Sequence, residues 1–108
     1  MKDEYQQCLE ACYACAAACD HCAASCLQEE DLEMMRGCIR LDTQCAAICR
    51  LAAQFIALQS ESAAAVCRLC ADLCQQCAEE CGQHQHDHCQ QCARACQRCA
   101  ELCRNMAA

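Results

Sequence analysis

CLEACYACAAACDHCAASC, residues 8–26, carries Cys8, Cys12, Cys15, Cys19, Cys22 and Cys26 in alternating steps of four and three. The steps repeat every seven residues, the period of one face of a helix in a bundle. Positions that normally hold Leu or Ile hold thiols instead. The same spacing returns at Cys67, Cys70, Cys74, Cys77 and Cys81, and again at Cys89, Cys92, Cys96, Cys99 and Cys103. A further segment holds only Cys38, Cys45 and Cys49. A core built of thiols makes the interior the functional site and points to a soft metal as its ligand.

The rest of the composition agrees with helix. Proline is absent, glycine occurs twice, alanine is abundant and no segment alternates with period two. With three aromatics in 108 residues, the cysteines must fill the core of this one domain, which free thiols can do as small apolar groups. The formal charge is −7, with no basic stripe and almost no stacking surface, so nucleic-acid binding is not expected. The opening MKDEYQQC has no apolar stretch, and no apolar run is long enough to span a membrane. The expected location is the cytoplasm. There a disulfide scaffold is disfavoured: the cysteine count is odd, and thiols at i and i+4 of one helix point in parallel and pair poorly.

The breaks predict an all-α, antiparallel up-down-up-down four-helix bundle over residues 1–108, with helices at about 3–27, 31–58, 61–82 and 87–105. Asp3 with Gln6 and Asp87 with Gln90 read as capping boxes, Glu29-Glu30-Asp31 as a turn opening the second helix, Ser60 or Ser62 as a cap for the third, and Gly82 as its C′ residue.

This topology gathers Cys26, Met34, Met35, Cys38, Cys81, His84, His86, His88 and Cys89 at one end. The other collects Tyr5, Cys8, Leu51, Phe55, Ile56, Leu58, Val66 and Cys103. The first reads as the entrance for a metal, the second as a stopper. His84 and His88, beside Cys81 and Cys89, are expected ligands; His86, in mid-loop, is either a ligand or a solvated side chain. Met34 and Met35 suit plain packing. In the register of the second helix the position between Cys38 and Cys45 is Leu41 or Asp42. An inward Asp42 would be a harder ligand, but a surface salt bridge is its expected fate. The first helix is apolar nearly all round, with Leu9, Tyr13, Ala14, Ala16, Ala17, Ala23 and Ala24 off the thiol face. A homo-oligomer packed through it is expected.

Thiolates select Cu(I), zinc or iron–sulfur clusters. Cu(I) accepts two or three sulfurs, and eight i, i+4 pairs link into a ladder of such sites. One Cu⁺ per thiolate leaves a neutral interior, with a capacity of roughly one ion per cysteine. Zinc with four thiolates leaves two negative charges per site, unfavourable in a narrow core. The CxxxCxxC at Cys8, Cys12 and Cys15 matches a radical-enzyme cluster motif, yet any heptad of cysteines produces it. The CxxC steps lack the strand that precedes a thioredoxin-like motif. No catalytic set appears, so an enzyme is not expected. The alternatives to Cu(I) storage are a metallothionein-like buffer for zinc or cadmium and an iron–sulfur or thiol redox protein.

The chain resembles the bacterial copper storage proteins, in particular their cytosolic branch. The likeness covers its whole length and rests on the cysteine strings, on CIRLDTQCAAIC, on CRLCADLCQQCAEECG and on HQHDHCQQCARAC. The resemblance implies a bundle that fills its core with many Cu(I) ions per chain, assembles as a homotetramer and takes up metal at its His-bearing end. By position it implies the nineteen cysteines as ligands, with His84, His86 and His88 at the mouth. A copper chaperone is the candidate donor.

Overall fold

A computed structural model describes residues 1–108 as four α-helices: α1 Asp3–Cys26, α2 Leu32–Ala57, α3 Ala63–Gly82 and α4 Asp87–Ala107. α1 packs on α2 and α4, and α3 packs on the same two, so the helices stand at the corners of a square. The short turns make neighbours antiparallel. The bundle measures 44 × 18 × 17 Å, close to the roughly 39 Å expected of a 26-residue helix at 1.5 Å per residue.

The seven-residue repeat is expressed directly as depth. All nineteen cysteines are fully buried, and small alanines such as Ala16, Ala46, Ala71 and Ala93 fill the spaces beside them. Alanine there lets the helices approach closely, which brings the sulfurs into one column.

The helix ends differ in part from expectation. Asp31 caps α2, its Oδ1 accepting from Met34 N–H at 3.2 Å. The two capping boxes do not form. Asp3 and Asp87 are the first helical residues, one position too late, behind Lys2 and His86. Gln90 instead turns back, its Nε2 donating to the carbonyls of Gly82 and His84 and tying α4 to the end of α3. Gly82 is the last residue of α3 and has no positive φ, so it is not a C′ glycine. That role falls to Gln59 after α2. With φ 53° it sits in the left-handed region, while Gln59 N–H bonds Ile56 O and Ser60 N–H bonds Phe55 O. Ser62 precedes α3 without a side-chain cap bond, and Ser60 Oγ accepts from Ser62 N–H.

The end opposite the histidines is closed mainly by buried Ile56, with Tyr5, Val66 and Met106 partly buried around it. Leu51 and Leu58, expected in this plug, point outward instead. They lie on the solvent side of α2 and beyond its end, where the helix period rather than apolar character decides exposure.

Candidate metal centre

The four cysteine strings interdigitate rather than standing as separate ladders. Cys45 Sγ lies 3.4 Å from Cys74 of α3, 3.8 Å from Cys15 of α1, 3.8 Å from Cys96 of α4 and 3.9 Å from Cys49 of its own helix. Cys49 likewise approaches Cys70, Cys74 and Cys99 at 3.6–3.8 Å. Towards the closed end Cys103 stands 3.8 Å from Cys8 and 3.7 Å from Cys12. Several i, i+4 pairs, among them Cys70 with Cys74 and Cys99 with Cys103, sit at 3.9 Å. Most contacts between helices are shorter than these, a convergence that spacing within one helix does not reveal.

Sets of four sulfurs mutually within 4.8 Å run along the core, for example Cys12, Cys70, Cys99 and Cys103, or Cys15, Cys19, Cys45 and Cys96. Neighbouring sets share members: Cys15, Cys19, Cys96 and Cys99 each belong to at least two. The sets therefore cannot all act as separate four-thiolate sites; filling them together needs shared, bridging sulfurs. Sulfurs that bridge between low-coordinate ions satisfy all of them together.

All nineteen cysteines are free thiols. Where burial is the leading influence it pushes the thiol up, Cys89 to about 12 and Cys26 beyond the usual range. Hydrogen bonds from Cys22 and Cys81 pull Cys38 the other way. Burial thus disfavours a bare thiolate, and hydrogen bonds from neighbouring S–H groups act against that penalty.

Asp42 corrects the sequence reading. It makes no surface salt bridge. It is fully buried, the only charged-type side chain in the core. Its Oδ1 accepts from the thiols of Cys77 at 3.2 Å, Cys81 at 3.3 Å and Cys92 at 3.2 Å, and Cys38 lies 3.6 Å from Oδ2. Burial, then the nearby sulfurs of Cys92 and Cys38, raise its pKa to about 8. Thiols can hydrogen-bond a carboxyl from several helices at once, which is why this polar residue survives in the interior.

At the end that carries them the three histidines differ. His88 is the one that reaches the thiols: its Nδ1 is 3.4 Å from Cys22 Sγ and 3.5 Å from Cys89 Sγ, and those sulfurs are 3.8 Å apart. The centre of that triangle lies about 2.1 Å from each atom, within the bonding range of imidazole nitrogen and near that of thiolate sulfur on a d¹⁰ ion. His86 is 42% exposed and stacks on His88 with the ring planes 3° apart. His84 touches no thiol through a hydrogen bond; its Nε2 is held at 2.8 Å by Glu80 Oε2. Glu80 fits there because Gly37 on α2 leaves space: a Cβ at Gly37 would lie 3.2–3.4 Å from its carboxylate. Met35 is buried and Met34 is 63% exposed, lining the clefts beside His84 and His86.

Two residues of this mouth were missed in the sequence, Glu29 and Glu80. Glu80 could have been found as the i, i+4 partner of His84. Glu29 could not, since its partner His88 is 59 residues away.

Comparison with known proteins places this geometry among relatives. The family model described as copper storage protein matches residues 1–108. A cysteine-rich protein of Bacillus subtilis, YhjQ, is 50% identical over 108 residues, all of both chains. The Cu(I)-bound copper storage protein BsCsp3 superposes with a TM-score of 0.93 at 50% identity, covering 98% of this chain and 100% of that one. A cytosolic copper storage protein from Streptomyces lividans, holding five coppers, does so with a TM-score of 0.94 at 34% identity, over 97% of this chain and 92% of that one.

Proposed function

The chain belongs to the copper storage protein family, and we propose that it stores and sequesters Cu(I), many ions per chain, on the thiolates of its core without catalytic turnover. The observation that carries this reading is the sulfur column around Cys45, where one sulfur faces sulfurs from every helix. Each Cu⁺ that binds releases one thiol proton, so Cys–SH plus Cu⁺ gives Cys–S–Cu plus H⁺ and the interior stays neutral. Neutral filling avoids the desolvation cost of bare buried charge. Zinc in four-thiolate sites accumulates negative charge along the same column, and the shared sulfurs leave few independent sites for it.

In this reading the nineteen cysteines are the ligands, and uptake begins at the His-bearing end. His88 completes a nitrogen–sulfur–sulfur site with Cys22 and Cys89, and His86 and His84 flank the approach. Asp42 supplies a single oxygen donor among Cys77, Cys81 and Cys92 just below. A copper chaperone is the class of donor that fits. We place the protein in the cytosol, in keeping with the cytosolic Streptomyces relative. No helix is long and apolar enough to cross a membrane.

A homo-oligomer, a tetramer by family resemblance, packs through α1. Supporting this, Tyr13 is half exposed, and Ala17, Ala24 and the C-cap Leu27 are exposed on the same face, which the Asp20–Arg50 ion pair crosses. Tyr13→Glu should shift the assembly to smaller species in light scattering; an unchanged mass removes α1 from the interface.

The test of storage is anaerobic titration of the reduced, metal-free protein with Cu(I) against a competing chelator. Uptake should approach the thiol count of nineteen, with titratable thiols disappearing in step and about one proton released per ion. A plateau near one ion per four thiols would favour tetrahedral zinc-type sites and overturn it.

A further inference from the structure

Glu29 lies in the turn between α1 and α2, outside the thiol column, yet its carboxylate reaches across to α4. One oxygen, Oε2, stands 2.8 Å from His88 Nε2 and 3.4 Å from His86 Nδ1. The two rings are stacked with centroids 5.4 Å apart, so a single carboxylate spans both. His88 is largely covered, its side chain 13% exposed, and its other nitrogen is the one that faces Cys22 and Cys89.

An ionised carboxylate only accepts hydrogen bonds. Whenever the ring is neutral, the 2.8 Å contact to that carboxylate favours the tautomer with the proton on Nε2, which leaves the Nδ1 lone pair facing Cys22 and Cys89. A carboxylate on the outer nitrogen is the common means of fixing tautomer and ring orientation in a metal-binding histidine. Without it the proton can sit on Nδ1 and block that lone pair, or the ring can turn. We propose that Glu29 is a positioning residue for copper uptake, acting through His88. The proposal rests on the reading of His88 as the first inner ligand. Glu29 also precedes the α2 N-terminus, and a purely electrostatic role there would predict a loss of stability with no change in the histidine ring.

The tautomer can be read without metal. In the reduced, metal-free protein with the ring neutral, long-range ¹H–¹⁵N spectra of His88 should show the Nε2–H form, and Glu29→Ala should convert a substantial fraction to Nδ1–H. Stopped-flow uptake of the first Cu(I) equivalent from a weak chelator should slow in Glu29→Ala by about tenfold or more, the scale of lost outer partners of metal ligands. Final capacity should be unchanged. Glu29→Gln keeps an accepting oxygen and should load closer to wild type than Glu29→Ala. Glu29→Ala added to His88→Ala should slow uptake no further. An unchanged tautomer in Glu29→Ala, an additive double variant, or Glu29→Gln as slow as Glu29→Ala would overturn the proposal alone. His88→Ala loading at the wild-type rate would overturn the His88 reading and the proposal with it.

Discussion

The Asp42 carboxyl accepts a hydrogen bond from the Cys92 thiol at 3.2 Å, in the interior of the bundle. Its pKa is raised to about 8, first by burial and then by the Cys92 and Cys38 sulfurs. The folded state therefore holds a proton that the unfolded chain releases near pH 4. Below that pH both states are protonated and the carboxyl costs nothing. As pH rises from about 4 to about 8, stability falls, by up to about 1.4 kcal/mol per pH unit from this group. Asp42→Asn keeps the shape and removes the proton. Denaturant midpoints of the reduced, metal-free protein should fall between pH 4 and 8 more steeply in wild type than in Asp42→Asn; parallel profiles would refute the assignment.

His84 and His88 both stand at the mouth, but only His88 contacts thiols. Substituting both by Ala should slow loading and chelator-driven release more than it lowers capacity. His88→Ala alone should account for most of the effect. Equal exchange rates in wild type and the double variant would end the mouth hypothesis.

Gly37 lies within α2, where Ala is favoured by about 1 kcal/mol. The new methyl group would press on the Glu80 carboxylate at 3.2–3.4 Å. That carboxylate ends a flexible side chain and can move. Gly37→Ala should leave the melting temperature equal or higher, while loosening the Glu80 contact to His84. Loss of the His84 ring's hydrogen-bond signature in NMR without loss of stability is the expected pair of results.

Gln59 pays the left-handed backbone penalty at the end of α2. Gly has no such penalty there, though it costs more entropy on folding. Gln59→Gly should raise stability by about 0.5–1 kcal/mol, seen as a higher denaturant midpoint with an unchanged slope.

Stripping metal should leave the helices in place. The thiols pack as small apolar groups, and Asp31 caps α2 without help from an ion. Circular dichroism of the metal-free protein should show helix matching the loaded form. A coil that folds only with copper would contradict this.

How far the sequence could be read depended on whether a signal was local. The cysteine heptads specified both the helices and their buried faces, because depth follows directly from period. Within α2 the wide gap between Cys38 and Cys45 left Leu41 and Asp42 competing for one inward position. A carboxylate is placed outside by default, and only the convergence of donors from α3 and α4 reverses that. The capping boxes failed by a single residue, a shift that pattern alone cannot resolve. His88 was legible beside Cys89, whereas Glu29 was not, since the fold alone brings that turn to α4. Leu51 and Leu58 were assigned inward on apolar character, although their helical phase turns them out.

Ile56 has a consequence for the order of traffic. With Ile56 covering one end of the sulfur column and the histidines flanking the other, the proposed uptake makes a single end serve both arrival and departure. Under that reading the ions nearest the histidines would be the first returned, and those beside Ile56 would form a slower reserve.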